Sequence, residues 1–198
     1  QLMVSSKKGM SAHQLFRMLG FGSYRTAWFM AHRIREAMRS DDLTPLGNGG
    51  GTVEADETYI GRRKGEKVRT GGGHKMKILS LVDRNSGVVR SFTDDKLTAA
   101  EIHPIIRANI AREARLMTDE ARLYINVGKE FAAHDTVMHA GLEYVRGDAY
   151  TNTVEGYFSI FKRGMRGVYQ HCGEQHLHRY LAEFDFRYTN RIAVGIND

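Results

Sequence analysis

TVEADETYIGRRKG, Thr52 to Gly65, is the stretch on which the fold turns. Its first half is apolar and β-prone, yet it carries Glu54, Asp56 and Glu57. After Gly61 it becomes basic at Arg62, Arg63 and Lys64. An edge strand with a solvated face would account for this pattern, and so would a metal site beside a polyanion. The period of two along a strand sets Glu54 and Asp56 on one face and points Glu57 to the other.

Downstream, RRKGEKVRTGGGHK reads as a flexible basic loop. Lys77–Asp83 and Gly87–Thr93 read as two strands joined by a tight turn at 84–86. A helix is expected over 97–114, with Thr98 and Glu101 as its capping box. Pro104 lies inside it, so either the helix begins late or its first turn is distorted. Arg115–Ala121 reads as a fourth strand, LYINVGKEFAAHD (123–135) as a helix or turn region, and Leu142–Gly147 as a fifth strand. Thr151–Gly164 is predicted as a helix burying Val154, Phe158 and Phe161, with Gly164 as its terminating glycine. A last helix over about 174–190 buries Leu177, Leu181, Phe184 and Tyr188. The order predicts an α/β fold with a mixed five-stranded sheet covered by helices.

Upstream, residues 10–39 read as two helices, capped by Ser11 and Ser23 and joined at Gly20-Phe21-Gly22. This is the outline of a helix-turn-helix. Phe16, Phe21 and Trp28 read as the core of the pair. The division expected is a helical DNA-binding segment over 1–43, a Gly-rich linker over 44–52 and a catalytic domain over 53–198.

The 198 residues, 41% hydrophobic, suffice for one domain and a small appendage, and no apolar run has the length of a membrane span. Cys172 is the only cysteine, which rules out an internal disulfide or a Cys-based zinc cluster and fits a reducing, cytoplasmic setting. Gln1 as first residue suggests a trimmed or partial chain. The net charge of +6 is clustered. Lys7, Lys8, Arg17, Arg25, Arg33, Arg35 and Arg39 stand against Glu36 alone, and seven more cations between Arg62 and Lys77 against Glu66 alone. Such clusters attract phosphate backbones by counterion release.

Asp56 lies in the first strand, Asp119 at the end of the fourth and Glu155 in the first turn of the helix after the fifth. First and fourth strands are commonly neighbours in sheets of this order, which would bring Asp56 and Asp119 together. A helix crossing the sheet can then lean Glu155 over the same spot. Three acids on rigid elements would make a metal site. Asp83 beside its hairpin is ordinary turn chemistry, Asp94 and Asp95 read as capping residues, and Glu120 should face away.

The ordered set VEADETYIG, MTDEARLY and NTVEGYFSIFKRG resembles the bacterial insertion-sequence transposases of the DDE superfamily, whose catalytic domain has the RNase H-like fold. Between Asp119 and Glu155 stand 155 − 119 − 1 = 35 residues, the spacing familiar from that superfamily. Full-length members of the group carry an N-terminal zinc ribbon, which this sequence does not contain, and often have His where Tyr150 stands. The resemblance implies a metal-dependent DNA transposase with Asp56, Asp119 and Glu155 as catalytic and metal-binding triad. Two Mg²⁺ (or Mn²⁺) ions would sit roughly 3.5–4 Å apart, Asp56 bridging both, Asp119 holding one and Glu155 the other. Water would free a 3′-hydroxyl, which would then attack target DNA. Double-stranded DNA, as element ends and target, is the implied partner of a homodimer or higher oligomer associated with the nucleoid.

Lys162, Arg163 and Arg166 would bind phosphates flanking the scissile bond, and the loop carrying Arg62, Arg63 and Lys64 would close on the duplex. Asn152 is either a further polar contact or the N-cap of its helix. His171, Cys172, His176 and His178 match no standard zinc spacing and read as packing and phosphate contacts; His134 and His139 read as a solvated helix face. Two other functions stay open: a hydrolysis-only RNase H-like nuclease, and an inactive or domesticated DNA-binding protein derived from a transposase.

Overall fold

A computed structural model describes residues 2–6, 8–68, 70, 72–119, 121–137 and 151–193. Five strands, β1 Thr52–Ile60, β2 Met76–Asp83, β3 Val89–Asp94, β4 Arg115–Asp119 and β5 Ala133–Val137, form one sheet in the order β3-β2-β1-β4-β5. The first three make an antiparallel meander. β4 then runs parallel to β1, and β5 parallel to β4. This mixed order is the RNase H-like arrangement.

The sheet is covered on both faces. Val53, Ala55, Leu79, Leu81 and Leu116 pack on α4 (Ala99–Asn109) and on Tyr124, Val127 and Phe131. The opposite face, with Ile60, Ile78 and Val82, packs on α6 (Asn152–Gly164) and α7 (Leu177–Ala193). Glu54 and Asp56 alternate with Val53 and Ala55, so β1 carries its two acids on the α6 side.

Several expectations need correction. β5 lies within 133–137, where a helix or turn region was expected; the strand expected at 142–147 falls outside the described residues. The 3-10 turn Arg122–Tyr124 and a short α5 (Ile125–Gly128) account for the first part of that region. α4 starts directly after its N-cap Thr98, with Glu101 of the capping box in its first turn, and tolerates Pro104, but ends at Asn109 rather than 114. α6 ends at Gly164 as expected, but not by a left-handed cap: Gly164 stays helical at φ −63°, and the chain continues through a wider turn to Tyr169. Its role is close approach, since a Cβ there would stand 2.4 Å from the Phe184 ring of α7.

The N-terminal helices are α1 (Leu2–Ser5), α2 (Ala12–Leu19) and α3 (Tyr24–Ala37). Ser11 with Gln14 forms the capping box of α2, Gly20 ends it in the left-handed conformation, and Ser23 caps α3. α3 docks on α7 through Arg35, which forms a buried ion pair with Glu183 at 2.8 Å and lies over the Tyr180 ring. The Tyr169 hydroxyl donates to the other Glu183 oxygen at 2.5 Å. Arg35 therefore leaves the surface cluster in which the sequence placed it. The Gly-rich segment is docked as well: Leu46 is buried, its N–H donating to Asn109 O and its carbonyl accepting from Ala111 N–H. Among the described residues no helix is long and apolar enough to cross a membrane.

Candidate metal centre

The β1–β4 ladder pairs Val53 with Leu116 and Glu54 with Met117, and stops there. Carried two residues further, the same register sets Asp56 level with Asp119, just where the strands part. Oxygens of Asp56, Asp119 and also Glu57 lie within 4.8 Å of one another, the only such group of three or more potential metal-ligand residues among the described residues. Face alternation predicted that Glu57 would point away. By alternation it shares the α4 side with Val53 and Ala55, yet beyond the last β1–β4 pair one of its carboxylate oxygens joins those of Asp56 and Asp119. The Asp56 carboxylate turns back to accept the Glu57 N–H at 2.7 Å.

Glu155 reaches the same place from α6 and lines one open cleft with Asp56 and Glu57. It is not part of the three-acid group, and its Oε1 accepts the Thr151 hydroxyl at 3.0 Å. What sets α6 there is Glu54, fully buried, whose Oε2 accepts the Val154 N–H at 2.9 Å while Arg84 donates to its Oε1. An acid at a helix N-terminus satisfies an otherwise open backbone donor and meets the positive end of the dipole. The N-cap residue proper is Thr151, not Asn152, which is exposed as the first residue of the helix.

The electrostatics of the cleft favour a cation. Burial pushes the Asp56 carboxyl up to about 7, and neighbouring Asp119, Glu57 and Glu155 push the same way against the Glu57 N–H. Glu57 is raised as well, first by burial and then by Asp119. Like charges held this close are unfavourable unless protonated or shared with a metal. Glu57 Oε1 and the hydroxyl of fully buried Tyr124 are enclosed with no hydrogen-bond partner. An all-oxygen donor set of this kind fits Mg²⁺ or Mn²⁺.

Lys162, Arg163 and Arg166 line the same cleft. Lys162 is half-buried; burial and Arg166 lower its proton affinity, while Asp56 raises it. Arg62 and Lys64 are exposed. Arg63 is engaged elsewhere, by Glu174 at 2.9 Å and Asp95 at 3.1 Å. Asp95 is thus an ion-pair partner rather than a cap, whereas Asp94 accepts the Lys96 N–H and Asp83 closes its hairpin by accepting from Asn85.

Of the histidines at 171, 176 and 178, the last two are packed or paired, and His171 is exposed. His176 lies against Trp28 and buried His32, and His178 meets Glu36. His134 stands in β5 beside the Thr118 hydroxyl, not on a helix face. His139 falls outside the described residues. Trp28 packs across to His176 instead of filling the helical pair, while Phe16 and Phe21 pack against that pair's core. Sequence reasoning passed over Glu54, Glu57 and Tyr124. The two glutamates stood in the quoted motif, but nothing local marked their partners.

The family model of the ISXO2-like transposase domain matches residues 49–189. An uncharacterized protein in transposable element ISH50 of Halobacterium salinarum is 27% identical over 184 residues, covering 83% of this chain; the chain spans 60% of that relative's length. Among solved structures, the catalytic core domain of BIV integrase aligns at 16% identity over 68% of this chain and 82% of its own, with a TM-score of 0.42. The HTLV-2 integrase catalytic core in complex with magnesium aligns at 13% over 71% and 87%, with a TM-score of 0.40. At these scores the fold stands on the strand order and register above.

Proposed function

This chain belongs to the ISXO2-like transposase domain family, and on that premise we propose that it cuts DNA at the ends of a mobile element and joins the freed 3′ ends to target DNA. Asp56, Asp119 and Glu155 would hold the divalent cations. The observation that carries this reading is the meeting of Asp56 and Asp119 at the end of one parallel ladder, with Glu155 of α6 on the same cleft. The presence of the 27% identical relative in a transposable element supports the mobile-element context.

Bound there, paired Mg²⁺ or Mn²⁺ ions would activate an oxygen nucleophile, stabilise the leaving oxygen and neutralise the crowded phosphate. The protein's own share is placement. Rigid β1, β4 and α6 fix the acids. Lys162, Arg163 and Arg166 border them and would hold the phosphates on either side of the scissile bond. In the first reaction a water oxygen attacks phosphorus and the P–O3′ bond breaks, leaving a 3′-hydroxyl. In the second that hydroxyl attacks a target phosphodiester, and the target's own 3′-oxygen departs.

The α2–α3 pair presents Arg25, Phe29 and Arg33 on its exposed side and would bind the duplex. Arg62, Lys64 and Asn152, all exposed, would add contacts near the cleft. Two element ends need two active sites, so a homodimer or larger assembly would act. The test is a labelled duplex bearing the DNA that flanks the coding sequence, incubated with Mg²⁺ or with EDTA. Metal-dependent nicking with joined products supports the proposal. Nicking alone identifies a hydrolytic nuclease, and a gel shift without cleavage identifies a binding protein that has lost its chemistry.

A further inference from the structure

We propose that Glu57 is a fourth carboxylate ligand of the metal centre, oriented by the hydroxyl of Tyr124. This rests on the divalent-cation site proposed above and adds to it a residue outside the Asp56–Asp119–Glu155 set.

Three observations carry it. The first is distance. In an octahedral site with metal–oxygen bonds of about 2.1 Å, ligand oxygens on opposite sides of one ion lie about 4.2 Å apart and adjacent ones closer. The oxygens of Asp56, Glu57 and Asp119 all fall within 4.8 Å of one another, so they already span one ion; Glu155 is outside that set.

The second is an unmet demand. Glu57 Oε1 is enclosed without a hydrogen-bond partner, although buried carboxylate oxygens are rarely left so. Among the described residues no cation pairs with Glu57: Lys162, Arg163 and Arg166 stand along the α6 side of the cleft. A purely structural buried glutamate would be expected to resemble Glu54, with both oxygens engaged.

The third is Tyr124. It is fully buried, and its hydroxyl is enclosed without a hydrogen-bond partner. Glu57 Oε1 is enclosed and unpartnered in the same way, so each leaves open a hydrogen bond that the other could complete. Metal-bound carboxylates are typically oriented by such an outer hydrogen bond. The turn that delivers Tyr124 begins at the metal site itself, where Asp119 Oδ1 accepts the Ala121 N–H at 3.0 Å. The ligand thus lies on the strand that carries Asp56, and the orienting residue in the turn that follows the strand of Asp119.

Isothermal titration of the metal-free protein with Mn²⁺ tests this, alongside its melting temperature with and without the ion. Glu57→Gln should weaken Mn²⁺ binding by about tenfold or more, and Tyr124→Phe by less, within the range usual for outer-shell changes. The melting temperature of metal-free Glu57→Gln should be unchanged or higher, because a like charge has been removed. Unchanged Mn²⁺ affinity in Glu57→Gln, beside a wild type that binds, overturns the role of Glu57 and leaves the triad standing. A loss of metal-free melting temperature with an intact Mn²⁺-induced rise shows a structural residue and overturns it too. Absence of Mn²⁺ binding by the wild type overturns the metal centre and this ligand with it. If Glu57→Gln does not fold, Glu57→Asp, which keeps the charge and shortens the reach, takes its place with the same expected weakening.

Discussion

Glu54 and Val154 are joined by a 2.9 Å hydrogen bond from the Val154 N–H to a fully buried carboxylate oxygen, so the strand that carries Asp56 also caps the helix that carries Glu155. Two acids from distant parts of the sequence are held in one frame by a third that faces no solvent. Arg84 on the other Glu54 oxygen makes the buried charge tolerable.

Removing Glu54 should therefore cost more than a surface ion pair. Glu54→Ala leaves the Val154 donor open and Arg84 without that partner, and a loss of about 3–5 kcal/mol is expected from urea denaturation. Glu54→Gln keeps an acceptor for Val154 and should lose less. In both variants cleavage should fall further than duplex affinity, because the chemistry depends on the placement of Glu155 in the uncapped first turn, whereas charge attraction by Lys162 and Arg163, two turns along the same helix, tolerates a small shift.

Lys162 and Arg163 border the acids, whereas Arg63 is committed to Glu174 and Asp95. The double change Lys162→Ala with Arg163→Ala should flatten the dependence of log affinity on log salt by about 0.9 for each phosphate no longer neutralised. Arg63→Ala should leave that slope unchanged. Binding isotherms at several salt concentrations read both.

Asp185 of α7 accepts from the Ser91 N–H and hydroxyl and from the Tyr157 hydroxyl, yet burial still pushes its carboxyl up to about 7. The folded protein keeps this proton over a range where the unfolded chain, with an ordinary value of about 3.9, has lost it. Its contribution to stability is complete below about pH 4 and is lost as the pH rises through about 7. Melting temperatures of the metal-free protein should fall across that window and fall less in Asp185→Asn. The remaining decline belongs to Asp56, which is raised to about 7 as well, and to Glu57, which burial raises in the same direction.

The Arg35–Glu183 pair ties α3 to α7 and is almost without exposure. Arg35→Ala should cost about 3–5 kcal/mol in urea denaturation, since Glu183 is left buried beside Tyr169 without its guanidinium. The double variant Arg35→Met with Glu183→Leu should lie closer to wild type, because an apolar pair removes both desolvated charges.

The sequence made the first four strands and the long helices legible because alternation and caps are local signals: Ser11, Ser23 and Thr98 sit where the helices begin. The approach of Asp56 to Asp119, with Glu155 on the same cleft, was legible because motif and element order agreed. β5 was not. Ala133, His134 and Asp135 have little strand preference, and the segment is extended because it pairs with β4 and meets it through Arg115–Asp135 and Thr118–His134. Glu57 was misassigned because face alternation stops being decisive where a ladder ends. Arg35 was misread because its partner lies far along the chain, and the close approach of Gly164 to Phe184 left no local mark for the same reason.

The most direct test of the metal centre is a crystal structure with Mn²⁺ soaked in, read by its anomalous scattering. The expected result is two peaks roughly 3.5–4 Å apart, within bonding distance of Asp56, Asp119 and Glu155. An empty cleft, or Mn²⁺ bound away from those three carboxylates, would contradict the proposal that this chain is a metal-dependent strand-transfer enzyme.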